Sequence, residues 1–120
     1  MKISQVLLKE VVATTTSDPV DVSLATKLAI QLIASSITSG NGKFEVEVSN
    51  DGGVTWSAYK RLISNIANAD TKNDTKVDSV TLNSNTSDMV YFPVGDYIGL
   101  IRAKVTRTTD GKYSAIILGV

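Results

Sequence analysis

No cysteine and no histidine occur in this chain. Their absence excludes disulfides, thiolate and imidazole metal sites, and every nucleophilic triad built on Ser-His or Cys-His. Such a fold rests on packing and hydrogen bonds alone, and cysteine usage leaves the redox compartment open. An excess of one charge is lacking too, since 12 Lys and Arg balance 12 Asp and Glu. A neutral chain offers no broad electrostatic footprint to nucleic acid or to an anionic membrane. Its basic clusters, Lys60-Arg61 and the Arg102, Lys104 and Arg107 set, are local. No window approaches the ~20 apolar residues of a membrane helix. Near the start, Val6-Leu7-Leu8 is cut short by Lys9-Glu10, too brief and too charged for a signal-peptide core. The expectation is a chain used without Sec-type export, in which the sequons at Asn73 and Asn85 are coincidental.

What is present is alternation. In 120 residues, 42% of them hydrophobic and 20% charged, apolar positions recur with a period of two between polar turn clusters. This length suits one domain, residues 1–120, which buries roughly two thirds of the surface its unfolded chain exposes. Extended segments are expected at Ile3 to Ala13, Val20 to Val22, Leu28 to Ile37, Phe44 to Ser49, Ser57 to Ile66, Val77 to Leu82, Met89 to Val94, Tyr97 to Thr108 and Tyr113 to Val120. Leu24 to Ala34 fits a helix nearly as well as a strand. Its serines and threonines further on, Ser35, Ser36, Thr38 and Ser39, are poor helix-interior residues and favour the strand. Asn68 to Lys76 and Asn83 to Asp88 are polar, aperiodic and expected to be loops, and Asp110-Gly111 reads as a two-residue hairpin turn. About eight short strands with turns every ten residues or so predict an all-β, single antiparallel sandwich, jelly-roll-like in outline.

The most informative stretch is Ser49-Asn50-Asp51-Gly52-Gly53-Val54-Thr55-Trp56. It joins the alternating Lys43 to Val48 to the next extended segment, so Ser49, Asp51, Gly52, Gly53, Thr55 and Trp56 are expected to build a structural hairpin. Asn, Asp and Gly accept the positive φ angles such turns need, and the Asp carboxylate can accept turn N–H groups. Trp56 supplies a large apolar body to pin the turn. The Ser-x-Asp-x-Gly-x-Thr-Trp string matches the Asp-box of sialidases and other β-propellers, where it is a structural turn repeated in several copies. One copy in 120 residues cannot build a propeller.

Other constellations are weaker. Glu45 and Glu47 share a strand face roughly 7 Å apart, yet a glycosidase needs two carboxylates across a cleft, and a solvated face explains them better. Asp70, Asn73, Asp74 and Asp78 carry oxygen ligands, but their spacing departs from the EF-hand loop and lacks its glycine. Trp56 or Tyr59 could serve as a sugar-stacking platform, though their phase with Phe44 and Val46 favours anchoring. No acid, base and nucleophile assemble, so the expectation is a protein that is not an enzyme, with no cofactor and no metal. The last strand is apolar at both parities, Ile116 and Leu118 against Ala115 and Ile117, so it is either central or pressed against a neighbour. Ile116, Ile117, Leu118 and Val120 are accordingly candidate contacts for another copy or a partner.

The order Asp21-Val22-Ser23, apolar Leu28 to Ile37, the Phe44 to Trp56 hairpin and Arg102-Ala103-Lys104-Val105 resembles a group of small β-sandwich structural proteins of tailed bacteriophages. The likeness runs from Val20 to Val120 and rests on turn and packing residues. It implies a virion component, a capsid decoration or cementing protein or a part of tails and head fibres, made in the host cytoplasm. It also implies the major capsid protein or another virion component as partner, and a homo-oligomer, a trimer by analogy. The alternative is a carbohydrate- or receptor-binding module of the same sandwich type.

Overall fold

A computed structural model describes residues 2–59, 61–65, 73–92 and 98–120, with the backbone alone over 61–65 and 73–77. The chain is all-β and forms an antiparallel sandwich of two sheets. The first sheet runs β1 (Ile3–Val11), β12 (Lys112–Gly119), β4 (Leu28–Ser35), β10 (Thr86–Phe92) in spatial order. The second is built on β5 (Asn41–Ser49) and β11 (Leu100–Thr108), which pair over nine residues each. Short strands complete it: β2 (Thr15–Thr16) and β3 (Val20–Asp21) share the free edge of β11, and β6 (Ser57–Ala58) and β9 (Val80–Leu82) share that of β5. The ten strands of the two sheets therefore fill eight positions, because two edges are each covered by two short pieces. Between β2 and β3 the ladder is bridged by Ser17, whose N–H donates to the Ala103 carbonyl (2.8 Å) and whose hydroxyl accepts from the Ala103 N–H (2.9 Å). Both backbone groups of Ala103 are thereby satisfied at the gap.

The core lies where alternation aims it. Ile30, Leu32, Phe44, Ile101, Val105, Tyr113, Ala115 and Ile117 are all buried between the sheets. Phe44 meets Tyr113 edge-on, with ring centroids 6.0 Å apart. β4 is a strand, as its serine-rich end favours, with Ile30, Leu32 and Ala34 turned inward.

Three expectations are corrected. Within the stretch read as the loop Asn68 to Lys76, residues from Asn73 onward form β8 (Asn73–Val77), paired in a hairpin with β7 (Arg61–Asn65). Residues 66–72 lie outside the described residues, as does the Gly95-Asp96 turn. Backbone pairing needs no apolar alternation, so a polar strand of this kind escapes a hydrophobic pattern. The loop Asn83 to Asp88 likewise ends early, since β10 begins at Thr86.

The larger correction concerns Asp110-Gly111. β11 and β12 do not pair; they belong to opposite sheets, and residues 109–111 form an arch between them. A two-residue hairpin would set Val105 opposite Ile116 and point both the same way. Instead Val105 and Ile117 face the core. Because the last strand is apolar at both parities, the sequence permitted either reading. The positive φ of Thr109 (72°) and Gly111 (104°) serves an arch as well as a hairpin.

A second arch, residues 36–40, carries β4 to β5 across the same end, and the two are bound together. The Asp110 carboxylate accepts the N–H groups of Thr38 (3.2 Å), Ser39 (3.1 Å) and Gly40 (2.9 Å). The Tyr113 hydroxyl donates to the Asp110 carbonyl (2.7 Å), and Arg107 Nε donates to that of Gly111 (3.0 Å). Hydrogen bonds from these amides, with Arg107 nearby, hold the Asp110 carboxyl below its ordinary range, while burial pushes the Tyr113 phenol up. Gly40 sits so close to the other arch that a Cβ there would strike the Thr108 carbonyl oxygen and the Asp110 backbone.

Two substitutions test this corner by urea unfolding. Gly40→Ala should lower stability by about 1–3 kcal/mol or more, since backbone cannot move aside as a flexible side chain can. Tyr113→Phe should cost about 0.5–1.5 kcal/mol, the net worth of one hydrogen bond. Equal stability of both variants and the parent would show that the arches are not braced here.

Candidate functional site

The hairpin between β5 and β6 is closed by Glu47 opposite Ala58 and Val48 opposite Ser57. Its turn is an internal hydrogen-bond cage. Ser49, buried at the strand end, donates its hydroxyl to Asp51 (2.7 Å) and accepts the Gly53 N–H (3.0 Å). Asp51 also accepts the Thr55 N–H (2.9 Å), and Trp56 Nε1 donates to the Gly53 carbonyl (3.1 Å). Gly52 and Gly53 take φ of 76° and 89°. The Thr55 amide, followed by the Ser49 hydroxyl, lowers the Asp51 carboxyl to about 2. All six sequence-predicted hairpin residues are thus gathered into one turn.

Two neighbours that the motif did not single out connect this turn to the sheet. Asn50 accepts the Gly99 N–H (2.6 Å), tying the turn to the approach of β11. Arg102 donates to Glu47 (2.9 Å) while its guanidinium lies 4.1 Å from the Trp56 ring centroid. The pairing explains both contacts, because Arg102 stands directly opposite Glu47 on the second sheet's outer face. Trp56 therefore carries a cation on one ring face and spends its N–H within the turn, which leaves it poorly prepared as a sugar platform. Tyr59 packs against Phe92 at 4.5 Å.

The second sheet's outer face is charged. Lys43, Glu45, Glu47, Arg102 and Lys104 all project from it, with Glu45 opposite Lys104. Glu47 is engaged by Arg102, and the Glu45–Glu47 pair lines a ladder rather than a cleft. Among the calcium candidates, Asp78 is exposed, Asp70 lies outside the described residues, and the side chains of Asn73 and Asp74 are likewise not described. Among the described residues no three His, Cys, Asp or Glu side chains come together as a metal site. An apolar crevice lined by Leu32, Phe44, Val46, Tyr59, Val80 and Val90 holds about 20 Å³, room for a water rather than a small-molecule ligand. No helix among the described residues is long and apolar enough to cross a membrane.

The first sheet's outer face carries more apolar than polar side chains. The candidate contacts on the last strand divide: Ile117 is fully buried in the chain's own core and is unavailable to a partner. Ile116, Leu118 and Val120 point outward, and Leu118 and Val120 are more than half exposed. Val120 is held in place by its backbone, which exchanges hydrogen bonds with Thr26 and Lys27. β12 is central in its sheet, between β1 and β4, with Leu118 exposed and Ser114 and Ile116 half-buried on its outer side. Register adds residues that sequence reasoning missed, Val6, Ile33, Met89 and Tyr91, whose shared face no single strand's pattern could disclose.

No protein-family model matches the sequence, and no curated protein does either. Among solved structures, the crystal structure of SPBc2 prophage-derived protein YomS is similar. It aligns over 100% of this chain and 94% of its own, with a TM-score of 0.67 and 12% identity. At that identity the likeness is one of fold.

Because the Asp51 carboxyl is depressed by the folded turn, its contribution to stability is complete above the unfolded value near 4 and is lost as pH falls toward about 2. Trp56 is the single tryptophan and reports on this turn. Its fluorescence should change between pH 4 and 2, and Asp51→Asn should abolish that transition while leaving any global acid unfolding in place. An unchanged emission profile in Asp51→Asn would show that Asp51 does not govern the turn.

Proposed function

We propose that this protein is a non-enzymatic structural component of a phage particle, a decoration or cementing protein that binds the major capsid protein or another virion component. The observation that carries the proposal is the end-to-end correspondence of fold with a prophage-derived protein. The sequence resemblance to tailed-phage sandwich proteins points the same way. The physical character of the molecule supports it further. Gly52, Gly53 and Gly111 and the side chains of Asp51, Asp110, Glu47 and Arg102 are engaged in turns, arches and cross-strand pairs. Such a body presents surfaces rather than a reaction chamber, and two of those surfaces differ sharply in polarity. Its place of work in this reading is the virion, after synthesis in the host cytoplasm. Trp56, covered by Arg102, gives the glycan-binding alternative no specific support.

Purified protein mixed with capsid shells from the phage encoding it should co-sediment saturably and raise the temperature at which the shells rupture. Absence of binding to shells and tails, together with glycan-array binding that Trp56→Ala removes without unfolding, would overturn the proposal in favour of a receptor-binding module.

A further inference from the structure

An antiparallel sandwich alone in water keeps both outer faces polar. Here only the second sheet does so. On the first, strand register lays out three rows across β1, β12, β4 and β10. One is Val6, Ile116, Gln31 and Met89; the next is Ser4, Leu118, Ala29 and Tyr91; the last holds Ser114, Ile33 and Ser87. None of these eleven is charged; the charges of this face lie at its rim, with Lys9 and Glu10 at the β1 bulge beside Ser114, whose hydroxyl accepts the Glu10 N–H (2.9 Å), and Lys112 opposite Ser35. Tyr91, Leu118 and Val6 are 68%, 54% and 52% exposed.

From this we infer that the outer face of the β1-β12-β4-β10 sheet is the interface of a two-fold homodimer, its occupant a second copy of the same face. The inference stands apart from any role in a virion. Three observations choose the occupant. First, area: four strands at ~4.8 Å spacing and about six residues at ~3.3 Å make a face on the order of 400 Å² in plan, more with side-chain relief. Two copies laid together remove on the order of 1,000 Å² from water, the size at which specific interfaces begin, so the dimer is a weak one. Second, charge: a two-fold contact sets each residue near the axis against its own copy, so a charged centre would repel itself. The centre of this face is uncharged, whereas the second sheet would bring copies of Lys43, Glu45, Glu47 and Lys104 together. Third, the centre of the face lies between Ile116 and Gln31, neighbours in register. A glutamine amide carries both donor and acceptor, so across a two-fold axis Gln31 can satisfy its own copy. Ile116, Leu118 and Tyr91 supply the apolar contact around it.

Sedimentation velocity over a concentration series tests this directly. The parent chain should move from monomer toward dimer in the micromolar range, with mass settling at two subunits. Leu118→Glu and Tyr91→Lys, both at exposed positions where the fold tolerates a charge, should each shift the midpoint upward by about tenfold or more. Lys43→Glu, on the opposite face, should leave it unchanged, and circular dichroism verifies that each variant is folded. Gln31→Glu and Gln31→Lys should each dissociate alone and associate when mixed, as only apposed copies near a two-fold axis can. A monomer at about 100 µM, a mass of three subunits, or equal weakening by Lys43→Glu would each overturn the inference.

Discussion

The Asp110 carboxylate, clasped by the backbone N–H groups of residues 38–40, is the contact on which this architecture turns. A sandwich whose chain passes between sheets several times at one end must hold those crossings in register, or the layers slide, and the arches of residues 36–40 and 109–111 are two of them. Here one arch presents three amides and the other answers with a single anion. Gly40 allows the two backbones to touch, and Tyr113 reaches from the core to the Asp110 carbonyl, so the polar clasp and the apolar core share a residue. Phe44, leaving the first arch, and Tyr113, leaving the second, then meet edge-on beneath it. Each arch fixes where the other's strand enters the core.

A similar economy operates at the opposite end of β5. The Ser49 to Trp56 turn satisfies its own donors internally and is tied outward by Asn50 to Gly99 and by Trp56 to Arg102. Neither contact lies within the turn's own sequence. Both ends of β5 are thus anchored to the β11 side of the sandwich, and the β5–β11 pair is the longest ladder of the second sheet. Its charges, cross-paired as Glu47 with Arg102, keep that outer face wetted, while the first sheet carries its apolar rows outward. The difference between the two faces follows from strand order. β12 and β4, the two strands apolar at both parities, lie side by side in one sheet, so their outer side chains add up.

Several features were legible in the residues. Alternation in Phe44 to Val48 and Ile101 to Val105 placed one side chain in two within the core, and the Asp-box string placed a tight turn between paired strands. Polar β8 was not legible, because a strand that is paired through its backbone need not alternate. Nor was the Asp110 arch: Asp-Gly declares a backbone bend but not whether the strands beyond it meet or part. Ile117 was named with its exposed neighbours for the same reason, since a strand apolar on both sides conceals which parity faces inward.

Local chemistry and spacing alone therefore determined that this chain is all-β, that it binds no metal through thiolate or imidazole, and that residues 49–56 close a hairpin. Those properties depend on side-chain type and on neighbours within a few positions. Which strands share a sheet, which parity of the last strand is interior, and which apolar residues assemble into one exposed face were decided only in three dimensions. They depend on contacts such as Asp110 with residues 38–40 and Leu118 with Ser4 and Ala29, brought together from distant parts of the chain. Such pairings depend on which arrangement buries the most apolar surface with every backbone donor satisfied, a property of the whole chain rather than of any segment.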